Sequence, residues 1–223
     1  MPAEQLPLAD PLAPPAQPAP RLERVEQASQ GWVNKYLLTY RLPDGSEYAY
    51  EAASRERSPE EYEAALQRVG AGAPVQAEAV CMVPQLPDGR VLLIREFRYP
   101  VNAWVVAFPA GLIDAGEDER AAIARELAEE VGLRVRDELG ADAVRMLAQP
   151  GLSSTGLTEE AVRIALVKAD WAAEARPERG ELIEPFALAR QQIPAFLREN
   201  RLPIGTRAQL MLMLLAADDA LWA

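Results

Sequence analysis

The sequence predicts an α/β protein in which a mixed sheet is packed between helices, with a small antiparallel β attachment ahead of it. Three observations carry that expectation. Two stretches alternate apolar and polar residues around Pro-Asp-Gly turns, strand-like runs are interleaved with segments of helical period, and a carboxylate-dense run from Gly111 to Leu133 is stopped by a glycine.

Along the chain, the proline-dense opening "MPAEQLPLADPLAPPAQPAPRLER" cannot sustain a hydrogen-bonded ladder, so residues 1–30 are expected to be a flexible or extended arm. Residues 31–74 are expected to form the attachment. There "WVNKYLLTY" and "RLPDGSEYAYEAASR" flank the turn Pro43-Asp44-Gly45 as an antiparallel hairpin. "SPEEYEAALQRVGAG" follows as a helix with a Ser58 cap, Pro59 in the first turn, and Tyr62, Leu66 and Val69 on its apolar face. Residues 75–223 form the main domain. It opens with a second hairpin, "VQAEAVCMVPQL" and "VLLIREFRYP", followed by the strand "WVVAFPAGLI" broken at Pro109. After the carboxylate-rich helix come strands "AVRMLAQPG" and "AVRIALVKAD" separated by a loop, then "ELIEPFALAR" entering a helix, then the C-terminal helix "TRAQLMLMLLAADDALWA".

Composition narrows the chemistry. With 23 basic against 34 acidic residues the formal charge is −11, which argues against a duplex nucleic-acid binder, although phosphates can still be reached through a divalent cation. The chain has no histidine, so imidazole ligands, His-based triads and a histidine general base are excluded. The single Cys81 stands in an apolar run, where it reads as a buried inert thiol, and it cannot form an internal disulfide. No apolar run approaches the ~18 residues of a membrane span. The N-terminus has neither a basic nor an apolar signal region, so a cytoplasmic protein without a membrane partner is expected.

The stretch "GLIDAGEDERAAIARELAEEVGL" holds the chemistry. In a helix starting near Asp118 or Glu119 and stopped by Gly132, Glu126 and Glu130 lie one turn apart on one face, with Glu129 beside them. Like charges so placed repel unless a cation or Arg125 compensates, and Arg125 can reach Glu129 at i+4. Carboxylate oxygens completed by water suit Mg²⁺ or Mn²⁺ bound together with substrate phosphates. Gly111 lets the backbone bend tightly, freeing the Ala110 carbonyl as one more oxygen ligand. A solvated charged helix is the plain alternative for "RELAEE" taken alone. The full spacing argues otherwise: Gly111, Glu117, Arg125, Glu126, Glu129, Glu130 and Gly132 are seven fixed identities, each at ~6% average usage, or ~10⁻⁹ per starting position by chance.

This pattern resembles the Nudix box, and the chain is similar to the Nudix hydrolase superfamily. The resemblance implies an α/β/α sandwich with a mixed sheet, and metal-assisted hydrolysis of a nucleoside diphosphate linked to another moiety. By position it makes Glu126, Glu129, Glu130 and the Ala110 carbonyl metal ligands for Mg²⁺, with Mn²⁺ as a substitute. It makes Glu117 an outer carboxylate that orients waters or the helix, and Arg125 the residue that holds Glu129.

The flanks look like the ADP-ribose or ADP-sugar pyrophosphatase branch: "VVAFPAGLIDAGE" with "REFRYP" upstream, and "QGWVNKYLLTYRLPDGSEYAYEAASRER" similar to N-terminal strands that are exchanged between two subunits. That likeness implies a homodimer, Trp32 stacking on adenine, Tyr50 as a second aromatic, and Arg55 and Arg98 near the diphosphate and ribose. Without it, Trp32 reads more readily as core or interface, whereas Arg98 ends an apolar strand where an arginine fork suits phosphate. In "QPGLSSTGLTEEAVRIAL" the resemblance puts the general base at Glu160, with Glu159 the runner-up; as bare sequence, both are ordinary loop carboxylates. Two departures stand out: Ala107 where many relatives carry glutamate, and the "SPEEYEAALQRVG" helix where many have a shorter connection. The expected activity is cleavage of an ADP-sugar to AMP and a sugar phosphate. The alternatives are another nucleotide sugar, a dinucleotide or a damaged nucleoside triphosphate as substrate, or a non-catalytic nucleotide sensor.

Overall fold

The computed structural model describes residue 15 and residues 17–218, so the proline-rich opening of the expected arm lies outside the described residues. The chain divides into two compact units: residues up to Ala73 together with Ser154–Glu159, and Pro74–Ser153 with Glu160–Ala223. That the short segment Ser154–Glu159 joins the N-terminal unit is something no contiguous boundary in the sequence anticipates.

In the N-terminal unit, β1 (Arg21–Gln27), β2 (Asn34–Arg41) and β3 (Glu47–Ser54) form an antiparallel sheet in the order β1-β2-β3, followed by α1 (Pro59–Gly70). β1 corrects the expectation of an arm through residue 30. Beyond Pro20 no proline interrupts the backbone, and Val25 alternates inward opposite Leu38. The β2–β3 hairpin closes on the Asp44-Gly45 turn, with Arg41 opposite Glu47. Ser58 caps α1 by accepting from the Glu61 N–H, a contact whose loss costs ~1 kcal/mol. The helix buries Tyr62 and Ala65, and Tyr62 packs with Tyr36, Leu38 and Ala52 while Leu66 packs against them; Val69 instead is exposed. On that same sheet face Tyr48 and Tyr50 are left exposed, with ring centroids 6.3 Å apart.

The main unit runs β4 (Ala79–Gln85), β5 (Val91–Arg98), β6 (Ala103–Ala107), β7 (Ala110–Leu112), α2 (Glu119–Val131), β8 (Leu133–Val135), β9 (Val144–Met146), β10 (Gly151–Leu152), β11 (Ala161–Trp171), β12 (Ile183–Leu188), α3 (Ile193–Glu199) and α4 (Thr206–Ala217). The sheet order is β10-β11-β4-β5-β12, with β11 parallel to β4 and the other pairings antiparallel. β4 and β5 share only the Gln85–Val91 pair near their turn, then diverge. β6 pairs with β5 and β7 with β4, so the break at Pro109 lets one segment fill the wedge between them.

Both faces of this sheet are covered, which is why β4 and β5 read as nearly unbroken apolar runs. Val80, Met82, Leu92 and Ile94 pack with Ile123, Leu127 and Val131 of α2 on one side. Cys81, Val83, Val91 and Leu93 pack with Ala208, Met211, Leu212 and Leu215 of α4 on the other. The architecture is therefore an α/β/α sandwich with a mixed sheet. α2 starts at Asp118, which accepts from the Ala121 N–H, and ends at Gly132 in the left-handed region at φ 68°, where a Cβ would strike the Ala173 carbonyl. No helix among the described residues is long and apolar enough to cross a membrane.

Candidate active site

The site is built where β7 runs beneath α2. Met82 N–H donates to the Pro109 carbonyl and Ile113 N–H to the Glu78 carbonyl, so the hydrogen-bonded positions of β7 are odd-numbered and Ala110 falls between them. Its N–H and C=O therefore turn away from β4. The N–H donates to Glu130 Oε2 at 3.1 Å, and the carbonyl faces the same outward direction. At Gly111 a Cβ would coincide with the Glu126 carboxylate, so only glycine allows that side chain to lie against β7.

Glu126 and Glu130 are buried, at 9% and 4% exposure, although both are acidic. Burial raises the pKa of Glu126, opposed by Arg125. Burial also pushes Glu130 up to about 9, reinforced by the charges of Glu126, Glu96 and Glu181 and opposed by the Ala110 N–H. Glu129 is half-exposed beside them.

Arg125 organises this cluster differently from the sequence expectation. Its contact to Glu129 is 3.4 Å, whereas Nη1 reaches Glu126 Oε1 at 2.7 Å and the fork Nε/Nη2 grips Glu117 at 3.0 and 2.8 Å. Nη2 also donates to the Leu112 carbonyl at 2.9 Å. The loop after β7 curls over the helix and offers these acceptors, and the Asp114 N–H holds Glu117 at 3.0 Å in turn. Glu117 is thereby held below the usual carboxylate range, chiefly by Arg125, and Arg125 is raised, chiefly by Glu117.

Among the described residues no three acidic or thiol side chains are drawn together tightly enough to hold a metal ion. The donor set nevertheless fits a hard divalent cation. Two carboxylates are buried one turn apart with a raised pKa, a carbonyl is turned out of its ladder beside them, and a glycine clears the space for Glu126.

A cleft of about 540 Å³ opens in the same unit, lined by Arg98, Ala107, Ala110, Ser153 and Arg207 among others. Arg98, at the end of β5, lies 2.7 Å from Glu96 Oε2, an ion pair that is not aligned as a hydrogen bond. Glu96 is buried at 8% exposure, and burial raises its pKa against the pull of Arg98. Sequence reasoning missed Glu96 and Arg207. Glu96 carried a signal, an acidic residue at an inward position of "VLLIREFR"; Arg207 carried none, being one charge in a helical first turn.

The segment expected to be a loop opens with the two-residue strand β10 and otherwise connects it to β11. β10 pairs with β11, and the Ser153 N–H donates to the Glu160 carbonyl at 2.8 Å. The two candidate bases part company there. Glu159 belongs to the N-terminal unit, where Ser54 donates a short hydrogen bond to it and Tyr62 lies beside it, the phenol raised by burial and by the Glu159 charge. Glu160 belongs to the main unit and accepts from Ser153 Oγ at 2.7 Å.

The remaining candidates stand in the N-terminal unit. Trp32 lies in a bend before β2 rather than in a strand and is 73% exposed, which removes it from the core of that unit. Tyr50 donates to the Gly156 carbonyl at 2.8 Å, and half-buried Arg55 follows β3 directly.

With this geometry in place, comparison with known proteins is specific. The NUDIX domain matches residues 75–204. An ADP-ribose pyrophosphatase of Saccharomyces cerevisiae is 28% identical over 167 residues, 73% of this chain and 66% of that protein. An ADP-sugar pyrophosphatase of Mus musculus is 32% identical over 125 residues, 52% of this chain and 55% of that protein. The chain thus matches just under two thirds of one of these relatives and about half of the other. A crystal structure of an ADP compounds hydrolase superposes with a TM-score of 0.67 at 20% identity, covering 91% of this chain and 94% of that one, which bears on the fold alone. The glycine that admits Glu126, the arginine that clamps it and the domain match agree: this chain belongs to the NUDIX family.

Proposed function

We propose that the protein is a divalent-metal-dependent Nudix pyrophosphohydrolase that cleaves the diphosphate of ADP-ribose or a related ADP-sugar, releasing AMP and a sugar phosphate. The observation that carries the reading is the Glu126 carboxylate seated in the space a Cβ of Gly111 would fill, one helical turn from buried Glu130. That arrangement sets two buried carboxylates beside a cleft, and ionising both there is favourable when a divalent cation shares them. Similarity to the yeast and mouse pyrophosphatases supports the ADP-sugar class of substrate.

Glu126, Glu129, Glu130 and the Ala110 carbonyl would hold Mg²⁺, or Mn²⁺ in its place. When bound, the cation polarises the diphosphate and makes a coordinated water acidic. The chain supplies the rest. Arg125 and Glu117 fix Glu126 against β7, and Arg98, braced by Glu96, offers its fork to the diphosphate. Glu160 accepts the proton of the attacking water through its carboxylate, a base suited to a chain without histidine. Glu159 is the runner-up; its carboxylate accepts from Ser54 Oγ within the N-terminal unit. Trp32, Tyr50 and Arg55 would bind the adenosine and ribose end. We also propose a homodimer with exchanged N-terminal strands, supported by the uncovered Tyr48 and Tyr50 face, acting in the cytoplasm without nucleic-acid or membrane partners.

The test is hydrolysis of a panel of ADP-ribose, other ADP-sugars, GDP- and UDP-sugars, NADH, diadenosine polyphosphates and oxidised dGTP, with Mg²⁺ and Mn²⁺, alongside Glu130→Gln. Fastest release of AMP from ADP-ribose or another ADP-sugar, abolished in the variant, supports the reading. Preference for a different compound would move the substrate class, and no cleavage at all would favour a nucleotide sensor.

A further inference from the structure

Arg207 has no role in the activity proposed above, yet it lines the cleft together with Arg98, Ala110 and Ser153. It sits in the first turn of α4, half-buried, and its Nη1 donates to Ser153 Oγ at 3.1 Å. Ser153 Oγ donates in turn to Glu160 Oε1 at 2.7 Å. The polarity of this chain is fixed by its chemistry. A guanidinium can only donate and a serine hydroxyl has a single proton, so an oxygen that accepts from Arg207 has that proton left to give, and it goes to Glu160. That hydrogen bond fixes the orientation of the Glu160 carboxylate. The main chain adds a second constraint, since the Ser153 N–H holds the Glu160 carbonyl at 2.8 Å. Backbone and side chain of one residue therefore locate both ends of Glu160.

We propose that Arg207 and Ser153, which line the cleft, form a positioning relay that holds the Glu160 carboxylate oriented. The inference rests on Glu160 being the general base. Arg207 is then a positioning residue that acts through Ser153, and α4, remote in sequence from the metal-binding helix, becomes part of the catalytic apparatus.

The test uses the full chain with ADP-ribose as probe and saturating Mg²⁺, comparing kcat and KM for Arg207→Gln, Arg207→Lys, Ser153→Ala, Glu160→Gln and the double variant Arg207→Gln/Glu160→Gln. Thermal melts verify folding. The relay predicts a fall in kcat of about 10-fold for Arg207→Gln and for Ser153→Ala with KM within about twofold, against about 100-fold or more for Glu160→Gln. Arg207→Lys, which keeps a charged donor to Ser153 where glutamine offers only a neutral amide, recovers part of the loss, and the double variant is no slower than Glu160→Gln alone. Should Arg207→Gln fail to fold, Ser153→Ala carries the test by itself. Unchanged kcat in Ser153→Ala and Arg207→Gln, with Glu160→Gln inactive, overturns the relay and leaves the base. A raised KM with kcat preserved in Arg207→Gln also overturns it and puts Arg207 on the substrate. Near-normal turnover by Glu160→Gln, or a wild-type chain that cleaves nothing in the panel, overturns the underlying reading and the relay with it.

Discussion

Replacing Gly111 with alanine separates the fold from the site. The added methyl would occupy the space now held by the Glu126 carboxylate, but that carboxylate is the far end of a flexible side chain, so Glu126 can swing away while β7 stays paired to β4. The price for folding is the 2.7 Å contact between Glu126 and Arg125, about 1–2 kcal/mol for a charge-assisted bond that is partly open to water. Against it stands about 0.4–1 kcal/mol regained because alanine narrows the unfolded ensemble. The net loss is about 1 kcal/mol, a drop in Tm of about 2–4 °C for a chain of this size. The effect on the site is larger. A carboxylate of the proposed metal site would leave the cluster, and even groups that only orient metal ligands change affinity by about 10–100-fold, so the Mg²⁺ concentration for half-maximal turnover should rise at least that much. A melt paired with a Mg²⁺ titration of ADP-ribose hydrolysis measures both. Normal Mg²⁺ dependence in a folded variant would show that Glu126 need not lie against β7, and the argument from the glycine would fail.

Two further outcomes follow from the same geometry. Glu130, raised by burial from 4.5 to about 9, is stabilising to the metal-free fold below its unfolded pKa, and that contribution is lost as pH climbs toward about 9. Without metal, the Tm of the wild type should therefore fall relative to Glu130→Gln across that interval, and Mg²⁺ should narrow the gap; parallel Tm profiles with and without metal would refute the assignment. For the dimer, light scattering coupled to size exclusion should give twice the 24.4 kDa chain mass, with Tyr48→Ser weakening association. A mass of one chain would sink the exchanged-strand proposal.

Much of the molecule was legible in its residues because it is encoded locally. The hairpin turns, the Ser58 and Asp118 caps, the Gly132 stop and the one-turn spacing of Glu126 and Glu130 depend on backbone preferences and helical period. What failed to read through was non-local. Arg125 reaches Glu117 more closely than Glu129 because the loop after β7 folds back over α2, an approach that spacing along the helix cannot express. Glu159 and Glu160 are adjacent in sequence, yet one is bonded to Ser54 and the other to Ser153, since the chain passes from one unit to the other between them.

By itself the sequence determined the carboxylate-rich helix, the one-turn spacing of Glu126 and Glu130 and the family to which the chain belongs, because one helical turn places i and i+4 together whatever surrounds them. Only the tertiary structure decided that the Ala110 N–H meets Glu130, that Glu96 joins the buried carboxylates, and that Arg207 meets Ser153 across an interval of 54 residues. Those contacts arise where separate elements pack, and packing is fixed by shape and burial rather than by any motif in the chain.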